Sequence, residues 1–258
     1  MESTLADRRI ALITGAASNI GLAIARNLAR DHVVILADIV DTTALAKSIG
    51  EGAVAMKGDV SSVVDCTRWV ERAAQLGGLN VLVNSAGITR ETVPAGEIRL
   101  EDWDDIVRVN LRGTFVLLQA AMQLLTRTKP ASVVLLSSRA GQVGAAAHGV
   151  NPRATKPHYV STKAGVIALM KSFALELAPL GVRVNSIAPG PIEGPMIPKA
   201  KWPEIARHVP LGRLGRAGGG ELRGRGRGRR CGGAFPRLPR GASVSAGAWS
   251  KASSAPCP

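Results

Sequence analysis

Short apolar runs alternate with amphipathic stretches along the first 210 residues. The runs at Arg9–Ile13, Val33–Ala37, Ala53–Met56, Val81–Val83, Ser132–Leu136 and Arg183–Ile187 predict strands. Their near-continuous Val, Ile, Leu and Ala content is that of strands covered on both faces. Between them, Gly21–Arg30, Thr42–Ser48, Ser62–Leu76, Leu100–Leu125 and Tyr159–Leu180 predict helices. Strands and helices in strict alternation predict an α/β fold with a doubly wound parallel, Rossmann-like sheet. The ligand crevice of such a sheet lies at the carboxyl ends of its strands.

The pattern stops near Leu211. Residues 1–211 are expected to form one α/β domain, and 212–258 a low-complexity basic tail of Gly, Arg, Pro and Ser. Repeated glycine cannot repay the entropy of ordering, so this tail is expected to be disordered. The net charge of +14 sits mostly there: residues from 211 onward contribute +9 and the first 210 only +5. Three cysteines, Cys66, Cys231 and Cys257, have neither metal-ligand spacing nor a disulfide framework, and no metal is expected. The N-terminus lacks a charged-then-apolar leader, and no apolar run is long enough to span a membrane. A cytoplasmic protein without a membrane partner is expected.

The first strand runs directly into Thr14-Gly15-Ala-Ala-Ser18-Asn19-Ile20-Gly21, a glycine-spaced turn that opens a helix. Such a turn brings backbone N–H groups and a helix N-terminus to a pyrophosphate. Asp38 ends the second strand, 23 residues after Gly15, where a carboxylate can accept ribose hydroxyls and repel a 2′-phosphate. No Lys or Arg lies in the turn at Ala16–Asn19. NAD is therefore the expected cofactor.

With these residues the chain resembles the short-chain dehydrogenase/reductase family, and among its branches the 3-oxoacyl-acyl-carrier-protein reductases. The Thr-Gly-x-x-x-Gly-x-Gly motif of that family is matched at Thr14, Gly15 and Gly21, with Asn19 in place of the middle glycine. Asn tolerates a left-handed backbone better than other side chains, so the turn is expected to survive with weaker cofactor affinity. The resemblance also assigns Asp59 and Val60 to the adenine, and Asn84, Ala86 and Gly87 to the end of the fourth strand beside the cofactor. After the sixth strand, Pro189, Gly190 and Ile192 match the segment beside the nicotinamide. A threonine expected there to orient the carboxamide is replaced by Gly194, which predicts a looser ring.

Tyr159-Val-Ser-Thr-Lys163 sets a phenol and an ammonium four residues apart, on one face of a helix. A free tyrosine with a pKa near 10 is a poor base at neutral pH, and the neighbouring lysine ammonium together with the cationic nicotinamide of an oxidised cofactor is expected to lower that value. Tyr159 is the single tyrosine of the chain. By the resemblance, Tyr159 and Lys163 are catalytic and also contact the cofactor, Ser138 binds the reacting oxygen, and Asn110 completes a proton relay. These four imply hydride transfer between a secondary alcohol and a ketone as small-molecule substrates, in a homo-oligomer. The segment from Ala145 to His158 is long for the family; Arg153, Lys156, His148 and His158 in it are either selectors of an anionic substrate or, as expected here, parts of a solvated loop.

The resemblance covers about four fifths of the chain and breaks off after Pro210–Arg216, so six of the usual seven strands are expected. Read one nucleotide later, Ala234–Gly241 permits Leu-Phe-Leu-Ala-Ser-Pro-Glu, a phrase of the missing segment, which points to a frameshifted C-terminus. Two other readings stay open at this point. One is an inactive remnant with an exposed sheet edge; the other is nucleic-acid contact through Arg223–Arg230, disfavoured because no aromatic residue is interleaved with those arginines.

Overall fold

The computed structural model describes residues 8–145 and 155–218. Its centre is a sheet of six strands: β1 (Arg9–Thr14), β2 (His32–Asp38), β3 (Ala53–Lys57), β4 (Val81–Asn84), β5 (Ala131–Leu136) and β6 (Val182–Ile187). They lie in the order β3-β2-β1-β4-β5-β6, all neighbours parallel. The chain winds outward from β1 in one direction and from β4 in the other. The strand order reverses between them, and a crevice opens at their carboxyl ends.

The α-helices among the described residues are α1 (Asn19–Leu28), α2 (Thr43–Ile49), α3 (Val63–Gln75), α4 (Leu100–Ile106), α5 (Gly113–Arg127), α6 (Arg139–Val143), α7 (Pro157–Leu177) and α8 (Trp202–Arg207). Alternate strand residues face opposite ways, and so two cores form. Leu12, Ile35, Leu82 and Val133 pack with Trp69 of α3, Leu117 of α5 and Phe173 of α7. Ile13, Leu36, Val83 and Leu136 pack with Ile24 and Ala25 of α1 and Ala46 of α2. Register aligns them: Leu12 stands beside Ile35 on one side and Leu82 on the other. Each fully buried Leu or Ile contributes roughly 1.5–3 kcal/mol, so these layers fix the sheet and with it the strand ends.

The expected doubly wound sheet is present, with strand boundaries within two residues of those read from the pattern. Three differences matter for the site. The predicted helix Leu100–Leu125 is interrupted by a π-helical turn, Val107–Arg112, which carries the buried Asn110. The short α6, absent from the expectation, begins directly after Ser138. Finally, disorder does not begin at Gly212: Leu214 is buried, Gly215 N–H donates to the Pro191 carbonyl at 2.9 Å, and Glu193 N–H donates to the Gly215 carbonyl at 2.8 Å. Leu214 and these two backbone hydrogen bonds dock the segment against Pro191–Glu193. The expectations for the rest of the tail, with Cys231, Cys257 and Arg223–Arg230, lie outside the described residues. Among the described residues no helix is long and apolar enough to cross a membrane.

Candidate active site

Gly15 adopts φ +64 at the end of β1, a left-handed conformation that admits glycine without strain. A Cβ on Gly21 would fall on the Gly15 carbonyl, so the first turn of α1 packs directly against the turn that leads into it. Thr14 locks this corner to the next strand. Its hydroxyl donates to Asn84 Oδ1 at 2.5 Å and accepts from Ala86 N–H at 3.2 Å, while Asn84 Nδ2 donates to Thr114 Oγ1 at 2.8 Å. Thr14 and Asn84 are both buried, and pairing removes the cost of their polar atoms.

Asp38, at the end of β2, accepts from Ala17 N–H at 2.9 Å through Oδ2 and from Val40 N–H at 3.2 Å through Oδ1. Each oxygen keeps a second lone pair, and the carboxylate faces the crevice. At the end of β3, the Asp59 carboxylate accepts from the Ser61 backbone and hydroxyl, each at 2.8 Å, and from Arg108 at 3.0 Å. Burial opposes its charge, but these hydrogen bonds outweigh burial and hold the carboxyl below its ordinary range. Asp59 is thus committed to protein partners.

The crevice is a cleft of about 530 Å³ at the carboxyl ends of the strands. Of the residues expected at the site, Thr14, Gly15, Ser18, Asn19, Ile20, Asp38, Asp59, Val60, Ala86, Gly87, Ser138, Tyr159, Lys163, Pro189, Gly190 and Ile192 line it. Gly21, Asn84 and Asn110 do not. The first two support the turn from behind, as described. Asn110 is also behind the wall: its Oδ1 accepts from Ile88 N–H at 2.8 Å and its Nδ2 donates to the Ile88 carbonyl at 2.9 Å. Its side chain therefore holds the segment after β4 and lies outside the cleft lining.

At the base of the cleft, Lys163 is buried on α7 and its Nζ donates to the Leu136 carbonyl at the end of β5, 2.9 Å away. Burial brings its pKa down to about 8. The same Nζ lies 5.8 Å from the centre of the Tyr159 ring. Ser138, at the N-cap of α6, accepts from Ala140 N–H at 3.1 Å and pairs with the Tyr159 phenol. Burial nonetheless raises the phenol above its ordinary pKa, and the Ser138 hydrogen bond only offsets part of this. The expected lowering of the Tyr159 pKa is thus reversed in the protein alone, because desolvation acts on both members of the pair and favours both neutral forms.

Lys156 and His158 overturn the solvated-loop expectation where the structure describes them; His148 and Arg153 lie outside the described residues. Lys156 takes a left-handed conformation at the N-cap of α7 and donates to Thr89 Oγ1, at 3.2 Å, and to the Arg90 carbonyl. Burial draws its pKa down. His158 is buried in the first turn of α7, with its pKa lowered by burial and by Lys156. Lys156, Thr89, Arg90, Met196 and Ile197 join the cleft lining without having been singled out as cofactor or catalytic residues. Lys156 carried the only usable signal, a charged residue just before the Tyr159 motif.

The residues present suit a dinucleotide. Glycine corners leave room beside the α1 N-terminus, and the half-buried Asp38 presents acceptors at the far wall. Gly87 leaves a cradle by the buried ammonium, since a Cβ there would stand 3.3 Å from Lys163 Nζ and 3.2 Å from Asn110 Oδ1.

A family model for short chain dehydrogenases matches residues 9–204. The 3-oxoacyl-(acyl-carrier-protein) reductase FabG of Thermotoga maritima is 37% identical over 221 residues, covering 81% of this chain and 85% of that protein. Its namesake from Staphylococcus aureus is 34% identical over 216 residues, covering 80% and 84%. Among solved structures, the 3-ketoacyl-(acyl-carrier-protein) reductase of Brucella melitensis complexed with NADH is similar at a TM-score of 0.73 and 28% identity, covering 81% of this chain and 86% of that one. A short-chain type dehydrogenase/reductase from Mycobacterium marinum is similar at 0.74 and 28% identity, covering 81% and 84%.

Proposed function

The chain belongs to the short-chain dehydrogenase family, and on that premise we propose that it is an NAD(H)-dependent oxidoreductase interconverting a secondary alcohol and a ketone. The observation that carries the proposal is the convergence of Ser138, Tyr159 and Lys163 at the base of one cleft whose far wall is Asp38. Bound NAD(H) supplies the hydride donor or acceptor. Thr14, Gly15, Ser18, Ile20 and the α1 N-terminus would hold its pyrophosphate, Asp38 its adenosine ribose, and Lys163 its nicotinamide ribose. Asp59, Val60, Ala86 and Gly87 would line the adenine and central parts, with Pro189, Gly190 and Ile192 beside the nicotinamide.

In reduction, Ser138 holds the carbonyl oxygen and Tyr159 gives its phenolic proton to that oxygen as the alcohol forms. In oxidation the phenol oxygen takes the proton back. A phenol kept protonated by burial is ready as the acid of the first direction. The second direction needs Lys163 charged, which a pKa of about 8 allows at neutral pH. Asn110 acts through Ile88, as a positioning residue.

Substrate candidates are a 3-oxoacyl thioester, a sugar or a steroid; the relatives named as 3-oxoacyl-(acyl-carrier-protein) reductases favour the thioester. A homo-oligomer is supported by an apolar groove that α7 forms with α5 and the π-helical turn before it, and that includes Leu111, Phe115 and Leu169. The cytoplasm is the proposed setting. The test is a panel of ketones and secondary alcohols, including a 3-oxoacyl thioester, followed by nicotinamide absorbance. Turnover of at least one carbonyl substrate with NADH is expected. A folded, NADH-binding sample that turns over none of them would overturn the proposal.

A further inference from the structure

We infer that Asn19 and Gly194 are a size-exchanged pair, in which the Asn19 carboxamide seats over Gly194 and donates a hydrogen bond to the pyrophosphate of the dinucleotide. The inference rests on the dinucleotide reading above and deepens it. The family pattern that this chain resembles carries glycine at the first position and threonine at the second. Here the glycine has moved across the cleft rim.

The two positions are 175 residues apart in sequence and in contact in the fold. A Cβ built on Gly194 would fall on Asn19 Nδ2, with Asn19 Cγ at 2.7 Å and Oδ1 at 3.2 Å. The whole carboxamide thus lies against the Gly194 backbone, and no side chain fits at 194 while Asn19 keeps its place. Asn19 in turn holds φ +48, in the left-handed region that Asn tolerates better than other non-glycine residues. The turn therefore survives the loss of its middle glycine, and the new side chain finds room because a glycine stands opposite.

What this room is used for follows from the hydrogen bonding. Thr14, Asn84 and Asn110 near the cleft all have protein partners. The Asn19 carboxamide is half-buried, lines the cleft, and has no hydrogen-bond partner among the described residues. Two N–H donors are therefore held in place by packing alone. They sit at the first residue of the ten-residue α1, whose N-cap Ser18 makes no side-chain cap. Uncapped backbone N–H groups at a helix N-terminus attract an anion, and the carboxamide stands beside them. In a dinucleotide the anion is the pyrophosphate.

The test measures NADH and ADP-ribose affinity, with the cofactor-free melting temperature, for the full chain and four variants. Asn19→Asp keeps the shape and the tolerance for positive φ but places a carboxylate beside the phosphates. It should weaken both ligands about tenfold or more at low salt, with a cofactor-free melting temperature no lower than that of the wild type. Gly194→Thr should displace the carboxamide and weaken both ligands about tenfold; Gly194→Ala gives the same reading if the larger side chain prevents folding. Asn19→Gly should weaken them several-fold. The double variant N19G/G194T should bind NADH at least about fivefold better than the product of the single losses.

Wild-type affinity in Asn19→Asp, or single losses that multiply in the double variant, overturns the pair. A loss for NADH without a loss for ADP-ribose overturns the pyrophosphate contact. If the wild type binds neither ligand, the dinucleotide reading itself falls and the contact with it; binding by the wild type therefore separates the two failures.

Discussion

Replacing Lys163 by methionine should stabilise the fold while removing the chemistry. The Lys163 ammonium is buried on α7, with the Leu136 carbonyl as its protein acceptor. Its pKa of about 8 against an ordinary 10.5 corresponds to about 3 kcal/mol by which burial disfavours the charged form. Methionine has similar length and no charge, so it removes this cost but leaves the Leu136 carbonyl unpaired, at about 1 kcal/mol. A net gain of about 2 kcal/mol at pH 7, or about 4–8 °C in melting temperature, is expected. The gain must depend on pH in a definite sense. Between pH 8 and 10.5 the unfolded lysine keeps a proton that the folded one has released, so wild-type stability rises through that window relative to the variant. Below pH 8 both states are charged, the cost is fully present, and the variant leads by its largest margin. Urea unfolding of both proteins at pH 7 and pH 10 measures the gap. A variant less stable than wild type at pH 7, or a gap that does not close with rising pH, would show that burial does not oppose the Lys163 charge.

Asp38→Ser should reduce an NADH-over-NADPH preference of roughly 10²-fold in kcat/KM to below about tenfold, because it removes the carboxylate expected to repel a 2′-phosphate. Equal use of both cofactors by the wild type would remove Asp38 from the ribose site. Asn110→Ala should destabilise by about 2–4 kcal/mol in urea unfolding, since it orphans the Ile88 N–H and carbonyl together. A change below about 0.5 kcal/mol would show that this pairing is not needed.

The parallel sheet was legible because strands buried on both faces must be apolar at nearly every position. His32–Ala37 is buried without a break, and its sequence shows the same continuity. The turn residues were legible for a similar reason: Gly15 and Gly21 are constrained locally, by a positive φ and a close backbone approach within six residues. Features set by contacts between distant segments were not. The π-helical turn at Val107–Arg112 barely disturbs the helical periodicity that carries the signal, yet it sets Asn110 against Ile88. Lys156 and His158 look like solvated polar residues until the left-handed entry into α7 turns Lys156 onto Arg90 and Thr89. The direction of the Tyr159 shift needed burial, which no spacing of Tyr and Lys reveals. Gly194 looked like a loss by itself, and so did Asn19; only their contact shows that one makes room for the other.

If Tyr159 moves the proton in a hydride transfer for which the cleft binds NAD(H), its hydroxyl is needed for turnover and not for cofactor binding. NADH affinity and turnover of a ketone found in the substrate panel, measured side by side for wild type and Tyr159→Phe, test it most directly. The expected result is NADH affinity within about twofold of wild type and turnover reduced by at least about 10²-fold, the contribution of a positioned acid. Wild-type turnover in the phenylalanine variant would contradict it.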